Sequence, residues 1–179
     1  MSFFNDGYYK TSKGYALKNY GNSAFILFKN IKVDEDKYEV KYYPPLDRVL
    51  DESMFEEVAT FETVLGVFKT AVEMAGTEID LTTYDTKFLW EMIFTTNKDK
   101  CFLTSEKHEN NNVSFKSDIK KLETFKFSPK LILDCLEDEY LFETVKIQFK
   151  QFKDKKAYIM VISFEKYDMY ICSLVDRDE

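Results

Sequence analysis

Apolar residues recur through the middle of the chain at Met54, Val58, Phe61, Leu65, Phe68, Val72 and Ala75, with spacings that alternate between four and three. That period places them on one face of a helix. A capping box of Ser53 and Glu56 marks its predicted start, and Asp51 and Glu52 add negative charge where the helix dipole favours it. Gly76 follows Ala75, where a left-handed residue commonly ends a helix. Gly66, inside the run, either marks close packing or weakens the helix by about 0.5–1 kcal/mol relative to Ala. The stripe could also form a coiled-coil seam, but Val64 and Ala71 widen the apolar face on one side. The pattern is therefore read as a core helix laid on a sheet.

Strand patterns surround this segment. AFILFKNIK (24–32) and YEVKYY (38–43) alternate aromatic and β-branched residues about an acidic turn at Asp34, Glu35 and Asp36, which predicts a hairpin. Pro44 and Pro45 end its second strand. Residues 84–95 read as a helix with Thr82 and Asp85 at capping-box spacing, a strand being the alternative for so many aromatic and β-branched residues. Ser128 followed by Pro129 starts another helix, through about Tyr140. CFLTSE (101–106) and NVSFKSD (112–118) are two short strands around a polar loop containing His108 and Asn110 to Asn112.

The last forty residues carry the clearest β pattern. Val145, Ile147 and Phe149 alternate with Lys146, Gln148 and Lys150, while AYIMVISF (157–164) is apolar on both faces and should be central. Turns at Asp154–Lys155 and Lys166–Asp168 link these to MYICSLV as an antiparallel meander. The expected fold is one α+β domain over residues 1–179. Its sheet is mostly antiparallel, with an N-terminal hairpin and a C-terminal three-strand meander, packed by the central helical section.

Composition then narrows the function. Hydrophobic residues at 45% and charged residues at 32% give both a core and a solvating surface, so disorder is excluded. The opening MSFFNDGYYK lacks a basic start followed by an apolar stretch, and no run reaches the 18 or so apolar residues of a membrane span. A cytoplasmic protein is expected. Cys101, Cys135 and Cys172 lie far apart among apolar neighbours and read as reduced, buried thiols. An excess of Lys, Asn, Phe and Tyr is what an AT-rich coding sequence produces, as in low-GC bacteria, their phages and some viruses. Arg48 and Arg177 are the two arginines in the chain, which disfavours specific nucleic-acid readout, because Arg makes the preferred bidentate contacts to phosphate and guanine.

Charge divides unevenly. Residues 46–100 carry 5 bases against 12 acids, or −7, whereas residues 1–45 carry 7 against 5, or +2. Asp51, Glu52, Glu56 and Glu62 form an acidic helical surface in this reading, open to a protein with a basic surface such as one that handles nucleic acid. The basic counterpart is the turn carrying Lys146, Lys150, Lys153, Lys155 and Lys156, interleaved with Phe149, Phe152 and Tyr158. Lysines and aromatics so arranged can hold single-stranded nucleic acid by phosphate contact and base stacking, although lysines on a wet edge strand also serve to prevent aggregation.

Catalytic patterns are sparse. His108 is the lone histidine and sits in the polar stretch SEKHENNN, so multi-histidine metal sites are excluded, and no glycine-rich phosphate loop can be drawn from five glycines. Asp134, Glu137 and Asp138 share a helix face as an ordinary acidic cluster. One partial match is similar to restriction-endonuclease-like nucleases, in which an acid precedes a strand carrying an acid or Gln, any residue, then Lys. Asp138 before Gln148 and Lys150 fits it with Gln for an acid; Asp34 before Glu39 and Lys41 fits with too little chain between.

These observations lead to a non-catalytic accessory or inhibitory protein, for instance a phage or mobile-element inhibitor or an immunity protein, that docks a basic partner through its acidic helix without a cofactor or metal. A metal-dependent nuclease and a single-stranded nucleic-acid-binding protein are the alternatives.

Overall fold

The computed structural model describes residues 8–19, 23–42, 44–80, 82–83, 85–88, 91–105 and 108–174. In chain order the elements are β1 (Tyr8–Thr11), β2 (Gly14–Asn19), β3 (Ala24–Phe28), β4 (Val40–Tyr42), α1 (Pro44–Leu50), a single 3₁₀ turn (Glu52–Met54), β5 (Phe55–Val64), α2 (Leu65–Gly76), β6 (Thr77–Asp80) and β7 (Asp85–Phe88). They continue with β8 (Met92–Asn97), β9 (Lys100–Ser105), β10 (His108–Lys116), β11 (Asp118–Ile119), β12 (Thr124–Phe127), α3 (Pro129–Leu136), β13 (Thr144–Phe152), β14 (Tyr158–Ser163) and β15 (Tyr167–Cys172). The fold is mixed and mostly sheet.

Nine strands form one sheet in the order β11-β5-β13-β14-β15-β3-β2-β1-β4, antiparallel except for the parallel β1–β4 pair. A four-stranded antiparallel sheet, β10-β9-β8-β12, stands apart from it, and β6 and β7 pair separately. The strand period of two sends alternate residues of β14 to opposite sides: Tyr158, Met160 and Ile162 join the larger core, and Ile159 and Val161 the smaller. The larger core fills the space between the nine-stranded sheet, α2, α3 and the four-stranded sheet. Its centre is aromatic, with the Phe149 ring 4.8 Å from Phe94 and 5.0 Å from Phe125. On the other face, Leu46 and Leu50 of α1 cover Phe25, Leu27, Phe55 and Tyr170.

Half of the predicted central helix is a strand. β5 pairs with β13 from Val64↔Thr144 to Phe55↔Phe152, and Val58 is an extra residue between the Ala59↔Phe149 and Glu57↔Lys150 pairs. This bulge breaks the period of two. Phe55 thereby faces the smaller core, 4.2 Å from Phe152, while Phe61 faces the larger one, stacked 4.6 Å from Phe115. Buried residues at 55, 58 and 61 thus imitate helical spacing. The expected Ser53–Glu56 cap is replaced by Asp51, whose carboxylate accepts from the Ser53 amide at 3.0 Å and its hydroxyl at 2.7 Å. Gly76 is the last residue of α2, followed by extended Thr77, whose hydroxyl donates to the Glu73 carbonyl.

Other expectations are corrected by long-range pairing. The N-terminal hairpin does not form, because β3 lies between β2 and β15 while β4 joins β1 in parallel. In place of a helix over 84–95 the chain makes β7 and β8; Tyr84, Leu89 and Trp90 lie outside the described residues. The stretch at His108 to Asn112 belongs to β10 rather than to a loop. α3 starts where Ser128 accepts from the Leu131 amide but ends at Leu136, four residues before Tyr140. β13, β14 and β15 form an antiparallel meander in the larger sheet.

Candidate functional site

One of the acids singled out above, Glu52, meets one of the lysines, Lys150. Lys150 is 9% exposed, and its ammonium donates to both carboxylate oxygens of Glu52 at 2.8 Å. Burial pushes the Glu52 carboxyl up, but Lys150 and then Lys13, 3.5 Å away, outweigh it and hold the group below its ordinary value. Glu56 sits 3.4 Å from Lys121, which also donates to Gln151 at 2.6 Å and pairs with Glu123 at 3.0 Å. Glu62 is the cross-strand neighbour of Lys146. Asp51 is occupied in capping the 3₁₀ turn, and Lys155 lies over the Phe152 ring at 4.6 Å. Lys153 is exposed in the β13–β14 turn, where its amide donates to the Met54 carbonyl; Lys156 is exposed in the same turn and also makes an interaction of its own. No helix carries the four acids: Asp51 and Glu52 belong to the 3₁₀ turn and Glu56 and Glu62 to β5.

Catalytic arrangements do not emerge from the described residues. Lys150, the lysine of the nuclease-like pattern, is engaged by Glu52, and Asp134 of the acidic cluster pairs with Lys130 at 2.7 Å. No group of three His, Cys, Asp or Glu among the described residues is placed to hold a metal ion. Cys101 and Cys135 are buried and free, and burial pushes each thiol up to about 12, which removes thiolate reactivity at neutral pH.

A different surface stands out. α2 buries Leu65, Phe68, Ala71, Val72 and Ala75, yet Val67 and Met74 on its outer side are 54% and 52% exposed. With Gly66, Thr70 and Ala71, and with Val113 from β10, they line a groove of about 420 Å³. Thr70 is the one polar side chain in that lining. At the N-terminal end of α2, the loop after α3 supplies Tyr140 and Phe142, two exposed rings 5.6 Å apart.

The loop is fixed to the helix by backbone contacts. Val64 offers no side-chain cap, so the first two helical amides are satisfied by the loop instead: Leu65 N–H donates to the Glu143 carbonyl at 2.9 Å and Gly66 N–H to the Leu141 carbonyl at 2.8 Å. A Cβ at Gly66 would stand 3.1 Å from that Leu141 oxygen, which is why glycine is accommodated here. The loop is also fastened near β15, where the Tyr167 hydroxyl donates to Glu139 and the Glu165 amide donates to Glu143 at 3.2 Å. Burial raises the Glu139 carboxyl above its ordinary value; the Tyr167 hydrogen bond opposes this and nearby Glu143 adds to it.

Sequence reasoning passed over this face because Val67 and Met74 fall off the main stripe. The signal was nonetheless present: Val64, Val67, Ala71 and Met74 form a second stripe with spacing three, four, three.

No protein-family model matches the chain and no curated protein matches it. Among solved structures it is similar to the DNA polymerase III subunit beta of Borrelia burgdorferi in complex with a natural product, at 12% identity and a TM-score of 0.44 over 90% of this chain and 42% of that one. It is likewise similar to the H. pylori beta clamp in complex with 5-chloroisatin, at 10% identity and a TM-score of 0.46 over 90% of this chain and 43% of that one. The chain therefore spans about two fifths of the length of each. The expectation of an inhibitor docking through an acidic helix is corrected by the structure, in which Asp51 and Glu52 lie at a 3₁₀ turn, Glu56 and Glu62 lie in β5, and Glu52 and Glu56 are ion-paired with Lys150 and Lys121. No helix among the described residues is long and apolar enough to cross a membrane.

Proposed function

We propose that this chain is a protein-binding module that docks an apolar segment of a partner protein against the outer face of α2. The observation that carries the reading is the half-exposure of Val67 and Met74 on a helix whose opposite face is fully buried. The outer side of α2 carries Lys69, Thr70 and Glu73, as a surface helix does, but Val67 and Met74 leave an apolar strip beside them uncovered. Valine, methionine and aromatic side chains grouped along one surface match the composition of interface centres, where charge is depleted and Met, Phe and Tyr are enriched. The groove has the size of a small-molecule pocket, but without converging polar groups it lacks the means to orient a reactive substrate.

Site-specific photo-crosslinking tests the proposal. A benzophenone side chain placed at Thr70, in the groove, should yield a discrete adduct with a second protein in the native host; the same group at Asp154, in the exposed β13–β14 turn, should not. Equal adducts at both positions, or none at Thr70, would overturn the reading.

A further inference from the structure

β10 is the outermost strand of the four-stranded sheet: its ladder runs to β9, and among the described residues no strand pairs with its other edge. An edge of this kind presents unpaired N–H and C=O groups to any extended chain that approaches it. Val113 and Phe115 share a face of β10 by the two-residue period. Phe115 packs on Phe61 and Phe68 in the core, whereas Val113 lines the groove with α2. The open edge and the open helix face therefore adjoin. A strand added about 4.8 Å beyond β10 would continue the sheet alongside α2, and every second side chain would face Val67, Thr70 and Met74.

The area argues for a segment rather than for a second folded surface. Val64, Val67, Met74, Leu141, Tyr140 and Phe142 are between 37% and 79% exposed. At about 150–250 Å² for a whole large side chain, they present on the order of 600 Å² of apolar surface. A standard folded interface uses about 800 Å² per partner, so this patch falls short unless main-chain hydrogen bonds are added. Strand addition adds them.

We propose that the groove and the β10 edge are one site, which takes an extended segment of a partner protein as an added strand with apolar residues at alternate positions. This rests on the protein-binding reading above and specifies the conformation of what binds.

The test selects peptides from a random display library on the intact chain and counter-selects on a Val67→Glu, Met74→Glu double variant whose fold is checked by circular dichroism. Enriched peptides should carry apolar residues at every second position. N-methylation of alternate backbone amides should weaken their binding by about tenfold or more, with the intervening amides tolerant, and amide shifts should map to residues 113–116. Peptides with helical three-four spacing and a uniform response to N-methylation would overturn strand addition while leaving the groove as a docking site. Failure of any peptide to discriminate the parent from the double variant would overturn the groove reading itself.

Discussion

Removing the Glu52 carboxylate should destabilise the fold because it strands the Lys150 ammonium. That group is almost enclosed, and both of its 2.8 Å contacts are to Glu52. Breaking a fully buried pair from one side costs about 3–5 kcal/mol, whereas an exposed pair contributes about 0–1 kcal/mol. The Glu52 side chain is 61% exposed, so water screens the interaction, and Glu52→Ala is expected to cost about 1–3 kcal/mol. Lys150→Met should behave differently. It replaces the ammonium by an apolar chain of similar length and leaves a carboxylate that water and Lys13 can still reach, for a change within about 1 kcal/mol.

Urea denaturation of the two single variants and the double variant would give these values and a coupling energy of about 1–2 kcal/mol. Linkage gives a second readout. Because the folded Glu52 carboxyl titrates below its ordinary value, its contribution is complete above the ordinary carboxylate range and is lost as pH falls through the lowered value. Glu52→Gln should therefore flatten the acid limb of the stability curve. A neutral Glu52→Ala with a strongly destabilising Lys150→Met would refute the reasoning, since it would mean that the ammonium reaches water and that Lys150 acts through packing.

Three further outcomes are expected. Gly66→Ala gains about 0.5–1 kcal/mol of helix propensity, but its Cβ displaces the Leu141 carbonyl and the hydrogen bond it accepts, so a net loss of about 1 kcal/mol should appear by thermal denaturation. Phe149→Ala should cost about 3–5 kcal/mol by opening a cavity among Phe94, Phe125 and Phe127, measured by denaturant unfolding. Glu139 titrates above its ordinary value in the folded chain, so its contribution is present at low pH and declines as pH rises through the raised value. Glu139→Gln should remove that decline from a plot of melting temperature against pH.

The meander was legible because local alternation and short turns specify it: Val145, Ile147 and Phe149 face the larger core, and residues 157–164 are apolar on both sides because both faces of the sheet are covered. The segment around Phe61 misled because a bulge at Val58 gave a strand the spacing of a helix. The N-terminal hairpin failed for another reason. β3 finds a better neighbour in β15, more than a hundred residues away, and no local pattern records that choice. For the charged residues, sequence spacing revealed acids and lysines as separate clusters, but only the pairing of β5 with β13 brings Glu52 to Lys150. The groove was half legible: its stripe on α2 can be read from Val67 to Met74, while Val113 and the Tyr140–Phe142 loop arrive through tertiary structure.

Docking on the outer face of α2 is tested most directly by measuring, on one variant, both fold stability and affinity for the protein captured at Thr70. Val67→Glu with Met74→Glu changes two half-exposed side chains, so unfolding free energy should move by no more than about 1 kcal/mol. Affinity for the captured partner should fall at least tenfold, because two charges would have to be buried in an apolar interface. A folded double variant that binds the partner as tightly as the parent would place the docking surface elsewhere on the molecule.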